Sequence, residues 1–328
     1  MNWINRQDLV WLQERLLAGE VSVQLRSLFR SDRSRVEKRW KHTHQPPVHW
    51  WDIPDIPRRW NRLITGDEDT PPHTWLVEHC LQERRGLRAL SLGCGIGNKE
   101  LWWAKTGAFA HLDACDLSAD RIEYARGVAE QESLQNIVHY FTADVFHLQP
   151  PTGYYDVVLL EQSLHHLSPL EPLLKRIQRW LAPDGWLFLN EYVGPDRFQW
   201  GVEQRAAAQQ MLDSLPMSMR LCWGERRFKE EIFRPSLARM WWSDPSESVE
   251  SSRIRSLLPK FFEIIEQRDY GGNLLPLVFS DIAHHFAGDD PIARAHLQRC
   301  FALEDEWIQE HPSDFVVMAC RPSASPQN

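Results

Sequence analysis

Long apolar runs are missing from this 328-residue sequence. No stretch approaches the roughly 18 apolar residues that a membrane-spanning helix requires, so no membrane span is expected. Residues 1–8 also lack the basic region followed by an apolar stretch that marks a secretory signal, and a cytoplasmic location is predicted. The hydrophobic share of 43% is nevertheless sufficient for a large core.

Paired cysteines are missing as well. No Cys-x-x-Cys pair occurs among the six cysteines, which are Cys80, Cys94, Cys115, Cys222, Cys300 and Cys320. This spacing favours neither a zinc ribbon nor a disulfide framework, and reduced, mostly structural thiols are predicted. His42, His44 and His49 lie close together, but no cluster of acidic or cysteine ligands accompanies them. No metal site is therefore predicted.

An excess of positive charge is the third absence. The formal net charge of -8 at pH 7 opposes broad attraction to nucleic acid or to an anionic membrane. Basic residues do cluster between Arg26 and Lys41, but Asp32 and Glu37 lie among them, as is typical of a solvated helix face. No nucleic-acid partner is predicted.

A short strand-like segment followed by three alternating glycines is the most informative feature present. Residues 89–92 run into Gly93, Gly95 and Gly97, and a helix start follows. Glycine permits positive φ and a close ligand approach, while a helix N-terminus offers free N–H groups. The third glycine comes one residue earlier than in the dinucleotide fingerprint, which weakens the case for a pyrophosphate. Asp116, at the end of a second apolar run, predicts a ribose-binding carboxylate.

On these residues the chain resembles the class I S-adenosylmethionine (SAM) dependent methyltransferases. Their first motif is similar to residues 90–97, and their second strand ends in an acidic residue like Asp116. Three later segments resemble further motifs of the family in the same order, at 141–145, 155–167 and 181–189. The resemblance implies a SAM-dependent methyltransferase with SAM as its cofactor.

The resemblance also implies the fold, an α/β Rossmann-like class I methyltransferase sheet of seven strands with the last one antiparallel. The sixth strand is predicted at 261–268 and the antiparallel closing strand at 315–320. Residues 86–328 are predicted to form the methyltransferase domain, with a helical cap inserted at about 201–260, because that segment is much longer than an ordinary connection.

Residues 1–85 are predicted to form a helical N-terminal extension that is rich in tryptophan and proline towards its end. Apolar residues recur at helical spacing over 3–29. The prolines and aromatic residues of 46–66 predict a fixed, irregular path. This stretch is similar to the leader of a subset of bacterial methyltransferases that are linked with polysaccharide, other cell-surface and secondary-metabolite pathways.

The resemblance further implies the residues that contact the cofactor. In the family, an Asp after the third strand accepts a hydrogen bond from the adenine amino group and its neighbour supports the ring. The end of the fourth strand faces the methionine part, and Arg59 of the leader is a candidate partner for the SAM carboxylate. The predicted cofactor residues are Gly93, Cys94, Gly95, Asp116, Leu117, Asp144, Val145, Glu161 and Arg59.

The chemistry implied is an in-line displacement on the methyl group of SAM by a small-molecule acceptor. Positioning and desolvation matter most, and a general base is needed only if the acceptor arrives protonated. Candidate bases are His165, His166 and Glu191, with His166 preferred because the resembling small-molecule enzymes often carry a histidine in this loop. O-methylation is favoured, and N- or C-methylation stays open.

Residues 161–164 read Glu-Gln-Ser-Leu and lack the Asp/Asn-Pro-Pro-Tyr/Phe motif of the resembling amino-methyltransferases. Methylation of adenine or of protein glutamine is therefore disfavoured. Two alternatives remain, a SAM-using transferase that moves another group, such as an aminopropyltransferase, and a non-catalytic SAM-binding scaffold or regulatory subunit. A homodimer is also left open.

Overall fold

Seven strands form one sheet in the order β3-β2-β1-β4-β5-β7-β6 in the computed structural model, which describes residues 48–224 and 227–323. Their bounds are β1 Leu87–Leu92, β2 Phe109–Asp116, β3 Val138–Thr142, β4 Tyr155–Glu161, β5 Leu181–Tyr192, β6 Phe262–Asp269 and β7 Phe315–Pro322. The first five strands pair in parallel, and β7 is antiparallel to both β5 and β6. The predicted fold, with its antiparallel last strand, is confirmed.

Helices connect the strands and cover both faces of the sheet. The α-helices of the described residues are α1 Asp55–Thr65, α2 Pro72–Leu76, α3 Asn98–Lys105, α4 Ala119–Gln131, α5 Leu170–Trp180, α6 Val202–Asp213, α7 Leu237–Ser243, α8 Ile254–Leu257, α9 Leu275–Phe279 and α10 Pro291–Glu310. None of these helices is both long enough and apolar enough to span a bilayer.

Alternation along the central strands divides the core into two apolar layers. On β4, Val157 and Leu159 join the layer that contains α3 and α4, whereas Val158 and Leu160 join the layer beneath α5. This alternation follows from the strand geometry, in which successive side chains point to opposite faces. Both faces of β4 are therefore buried, as expected for the central strand of a parallel sheet.

A third apolar cluster joins segments that are distant in the sequence. Trp50, Ile53 and Ile56 precede or begin α1, and they pack with side chains of α6, α9 and α10. The residues before the sheet therefore share a core with helices that follow β5 and β6.

Residues 202–213 and 237–257 are partly helical, and their role as a cap remains a prediction.

The leader is less irregular than its composition predicts. A 3-10 turn at Trp50–Asp52 precedes α1, which spans Asp55–Thr65 and ends at Gly66 with φ of 89°. Pro57 lies in the first turn of α1, where the backbone N–H groups have no partner within the helix, so its missing N–H is tolerated there. The predicted irregular path over 46–66 is therefore wrong from Asp55 onward.

The helices predicted within 3–29, together with His42 and His44, lie outside the described residues.

A buried ion pair fixes α1 against α10. Arg59 is 3% exposed, and its Nη1 lies 3.0 Å from Oε2 of the fully buried Glu304. Its Nη2 lies 2.5 Å from Asp305 Oδ1. Glu304 Oε1 accepts hydrogen bonds from the N–H groups of Leu274 and Leu275 at 2.9 and 3.1 Å. Glu304 therefore connects α10 both to α1 and to the segment that begins α9.

We expect Arg59→Met to lower the free energy of unfolding by about 3–5 kcal/mol, because it leaves the Glu304 carboxylate buried without its ion partner. Urea denaturation at neutral pH measures the change. Arg58→Met is the matched control, since Arg58 pairs with Glu68 where both side chains are half exposed, and a much smaller loss is expected. Equal losses in the two variants would contradict this account of α1.

Candidate active site

The glycine turn after β1 requires glycine at two positions for steric reasons. Gly97 has φ of 82°, and a Cβ there would lie 2.7 Å from the Ala125 Cβ and the Tyr140 ring. Gly93 has φ of 73°, and a Cβ there would lie 2.9 Å from the Ser163 Cβ. The turn thus packs directly on α4 and β3 and on the loop that follows β4, and α3 begins immediately after it.

Asp116, the last residue of β2, is held next to this turn. Its Oδ2 accepts the Gly95 N–H and its Oδ1 accepts the Ser118 N–H, both at 2.9 Å. Both oxygens keep further lone pairs, and the side chain is half-buried, so a hydroxyl can still donate to this carboxylate. Leu117 follows as a half-buried residue at the same strand end.

Asp144 lies two residues beyond β3, where it begins a 3-10 turn over Val145–His147. Its Oδ1 accepts the Phe146 N–H at 2.9 Å, and its Oδ2 lies 3.2 Å from His147 Nδ1. The Val145 side chain is buried beneath the turn. These contacts fix the direction of the carboxylate at the edge of the sheet.

Glu161 ends β4 on the other side of the glycine turn. The Trp103 indole donates to its Oε1 at 3.0 Å, and the Lys99 ammonium donates to its main-chain oxygen at 2.9 Å. Burial raises the pKa of the Glu161 carboxyl, and the Lys99 charge opposes that shift. Helix α3 therefore supplies both a charge and a donor to the end of β4.

Cys94, between the first two glycines, has a thiol whose pKa burial raises well above its ordinary value. A protonated, buried thiol is a poor nucleophile, so its role in the turn is that of a small side chain. All six cysteines of the chain are free thiols.

Glu191 and His165 form a buried pair where β5 reaches the same edge. Glu191 Oε1 accepts the N–H groups of Ser163 and Leu164, each at 2.7 Å, and its Oε2 lies 2.8 Å from His165 Nδ1. Burial lowers the pKa of His165 to about 3, so the ring is neutral at pH 7. Burial also raises the pKa of Glu191 to about 7, against the effect of the two N–H donors. When Glu191 is ionised it accepts the Nδ1–H of His165, and Nε2 of His165 then presents its lone pair.

His166 and Glu247 complete a group that we call the imidazole cluster, which consists of His165, His166 and Glu247. His165 Nε2 lies 3.6 Å from Glu247 Oε1, and His166 Nε2 lies 3.9 Å from Glu247 Oε2. His166 Nδ1 is 3.2 Å from the hydroxyl of Ser246, which itself donates to Asp244 Oδ1 at 2.6 Å. Sequence reasoning found both histidines but missed Glu247.

Glu247 comes from a segment over 244–250 that we call the acidic segment, and this segment is fixed over the loop after β4. Arg197 donates to the main-chain oxygens of Asp244, Pro245 and Glu247 at 2.7–3.3 Å. Glu250 Oε2 accepts the Leu170 N–H and the Ser168 hydroxyl, both at 2.9 Å. The segment is thus attached on both sides of Glu247.

A polar triad that sequence reasoning also missed lies beside Glu161. Gln162, in the left-handed region with φ of 56°, donates from Nε2 to Asn190 Oδ1 and to the Tyr270 hydroxyl, each at 3.2 Å. Tyr270 in turn donates to Asn190 Oδ1 at 2.6 Å. The positive φ of Gln162 marks this loop as unusual, but no local sequence pattern predicts the triad.

The structure brings most of the predicted site residues to one edge of the sheet. Five strands are neighbours in the order β3, β2, β1, β4 and β5. At their carboxyl ends lie, in the same order, Asp144, Asp116, the glycine turn, Glu161 and Glu191. Arg59 differs, because both of its terminal nitrogens have carboxylate partners on α10. Ligands of open α/β sheets bind at this edge, so the arrangement forms a candidate binding crevice.

Residues 90–189 match a family model described as "Methyltransferase domain". Methyltransferase GfsG of Streptomyces halstedii is 29% identical over 109 residues, which are 33% of this chain and 38% of that protein. The (S)-coclaurine N-methyltransferase of Thalictrum flavum subsp. glaucum is 30% identical over 109 residues, 33% of this chain and 30% of that protein. The chain therefore matches well under half the length of either curated relative.

Among solved structures, the S-adenosylmethionine dependent methyltransferase from Mesorhizobium loti matches with a TM-score of 0.45 and 19% identity. The match covers 76% of this chain and 97% of that chain.

Glu100, on the first turn of α3, predicts a pH-dependent stability. It is 1% exposed and accepts the Ser91 hydroxyl at 2.6 Å, and burial raises its pKa to about 7. Above its ordinary pKa of about 4.3 the unfolded chain releases this proton while the folded protein retains it, so stability is lost as the pH rises to about 7. Between pH 5 and pH 8 the free energy of unfolding of the wild-type protein should therefore fall by about 3 kcal/mol relative to that of Glu100→Gln.

Urea unfolding at several pH values measures this difference. Glu123→Gln is the control, because it makes the same substitution at an exposed position of α4. A constant difference between Glu100→Gln and wild type would contradict the assignment.

Proposed function

We propose that this chain, which contains a class I SAM-dependent methyltransferase domain, transfers a methyl group from SAM to a small-molecule acceptor. The observation that carries the proposal is the order of groups along one edge of the sheet. Two carboxylates, the glycine turn and a histidine held by a buried carboxylate follow one another on neighbouring strand ends. Each has a part in binding the cofactor or activating the acceptor.

On the cofactor side, Asp116 holds the ribose hydroxyls and Asp144 accepts from the adenine amino group. Gly93, Cys94 and Gly95 provide the surface on which the cofactor lies, with Leu117 and Val145 beside the adenosine. Glu161 faces the methionine part. Arg59 has no place in this proposal, because its guanidinium pairs with Glu304 and Asp305.

On the acceptor side, we assign the proton acceptor to His165 rather than to His166. Glu191 holds the Nδ1–H of His165 at 2.8 Å, which directs the Nε2 lone pair away from Glu191. Glu191 already accepts two main-chain N–H groups and the imidazole, so it acts as a positioning residue and not as a free base. His166 lies beside His165, with the ring centroids 4.3 Å apart, and forms part of the wall of the acceptor site.

The reaction is an in-line displacement. The acceptor oxygen forms a bond to the methyl carbon while the sulfur–methyl bond breaks, so the sulfonium becomes the neutral thioether of S-adenosylhomocysteine (SAH). The acceptor proton passes to His165 Nε2. Because burial lowers the pKa of His165 to about 3, the ring takes the proton as the carbon–oxygen bond forms and the hydroxyl becomes strongly acidic, which favours O-methylation over N- or C-methylation. Holding the acceptor and the methyl group in line supplies most of the remaining acceleration.

For the cofactor, we expect Asp116→Asn and Asp144→Asn each to weaken SAH binding by about tenfold or more, since each loses a charge-assisted hydrogen bond worth about 1.5–3 kcal/mol. Isothermal titration calorimetry of the full chain with SAH measures the loss. Glu123→Gln removes the same charge from the exposed side of α4 and should leave affinity unchanged. Failure of the wild-type chain to bind SAH or SAM would overturn the proposed function.

For catalysis, we expect His165→Gln to lower turnover by about 100-fold or more while SAH affinity changes less than about twofold. Methyl-labelled SAM, offered with a panel of phenols, alcohols and amines, identifies an acceptor by transfer of label to product. Comparable turnover of His165→Gln and wild type on that acceptor would remove His165 from the mechanism. Consumption of SAM without transfer of label would indicate a different transferred group.

A further inference from the structure

We propose that the imidazole cluster of His165, His166 and Glu247 binds one divalent first-row transition-metal ion at the acceptor end of the crevice. The site takes a metal through two imidazole nitrogens and one carboxylate. The binding claim stands on the cluster itself, and its consequence for the acceptor rests on the proposed function.

The separations within the cluster fit ligands around a shared ion better than hydrogen bonds. One ligand atom from each of the three residues lies within 4.8 Å of the other two. The distances from the imidazole Nε2 atoms to the Glu247 carboxylate, 3.6 and 3.9 Å, exceed those of a hydrogen bond. Ligand atoms around a tetrahedral zinc ion lie about 3.3 Å apart, so the two imidazole-to-carboxylate distances exceed that spacing by only a few tenths of an ångström.

Both imidazoles are already oriented in the way that metal-binding histidines require. His165 Nδ1 lies 2.8 Å from the Glu191 carboxylate, and His166 Nδ1 lies 3.2 Å from the Ser246 hydroxyl, which is bound to Asp244. A hydrogen bond at one ring nitrogen fixes the ring and leaves the other nitrogen to ligate a metal. For both histidines, the nitrogen on the Glu247 side is Nε2.

Glu247 is likewise held in place. Arg197 donates to the main-chain oxygen of Glu247 at 3.0 Å, and the Ser248 hydroxyl donates to Glu247 Oε1 at 3.0 Å. The Glu247 side chain is 20% exposed and that of His166 is 19% exposed, whereas that of His165 is 8% exposed. The cluster thus has a rigid inner side and a partly open outer side through which an ion and an acceptor can enter.

The donor set indicates the kind of ion. Imidazole nitrogens suit zinc, iron, cobalt and nickel, while magnesium and calcium prefer oxygen ligands. Three protein ligands leave at least one position for an exogenous oxygen, as in catalytic zinc sites.

The bound ion would change how the acceptor loses its proton. An acceptor hydroxyl bound to the ion would become more acidic and would lose its proton to solvent water, which would leave an oxygen anion to attack the methyl carbon as the sulfur–methyl bond breaks. The proton-acceptor role proposed for His165 applies to the metal-free chain, whereas in the metal-loaded chain both histidines would act as ligands. An acceptor with two adjacent oxygen atoms would suit such a site best, because it can bind the ion through both.

Binding of Co²⁺ to the full, chelator-treated chain tests the site without any acceptor. We expect one Co²⁺ per chain, detected by visible d–d absorption, with displacement by Zn²⁺ and none by equimolar Mg²⁺. Glu247→Gln and His166→Gln should each weaken Co²⁺ binding by about tenfold or more. His284→Gln is the matched control, because His284 and His285 are also adjacent histidines with rings 3.9 Å apart, and it should bind Co²⁺ like wild type.

Wild-type chain that gives no Co²⁺ spectrum would overturn the site, as would Glu247→Gln and His166→Gln variants that bind as tightly as wild type. Thermal unfolding of each metal-free variant verifies that it is folded. SAH titrations of the same samples separate the two proposals, since loss of Co²⁺ binding with intact SAH binding refutes only the metal site. A wild-type chain that binds Co²⁺ but not SAH refutes only the proposed function.

Discussion

The close approach of Gly93 to Ser163 joins the two halves of the crevice. Gly93 belongs to the glycine turn after β1, and Ser163 belongs to the loop after β4. The Ser163 N–H donates to Glu191, and Glu191 contacts His165, so the glycine turn and the histidine proposed to serve the acceptor are joined through Ser163 and Glu191. Because a Cβ at position 93 would lie 2.9 Å from the Ser163 Cβ, this connection requires glycine there.

Neighbouring segments hold the carboxylates that lie near that connection. Glu191 is satisfied by main-chain donors from the loop after β4, and Glu161 by Trp103 of α3. The acidic segment reaches the same loop from the region after β5, where Arg197 holds its main chain. The acidic segment therefore places Glu247 next to two histidines.

The fold followed from the sequence because its signals are local. A strand, a glycine turn and a helix start are consecutive, and the later motifs recur in order, so the sheet and its antiparallel last strand are confirmed. The predicted irregular path of the leader is wrong from Asp55 onward, because a stretch rich in proline and aromatic residues still forms a helix when its proline, Pro57, lies in the first turn. The cap over the acceptor, the cytoplasmic location, the homodimer and the absence of a nucleic-acid partner stay predictions.

The acceptor end could not be derived from spacing along the chain. Ser246 contacts His166 across 80 positions, and Glu247 lies in a Ser- and Glu-rich stretch with no motif of its own. Only the folded chain places these residues together, which is why no metal site was predicted from the sequence.

The central claim is one crevice with the cofactor on one side and the imidazole cluster on the other. A crystal structure of the chain with SAH tests it most directly. We predict that the ribose lies on Asp116 and that the sulfur faces His165, whereas SAH bound away from the glycine turn, or with its sulfur directed away from the cluster, would contradict the account.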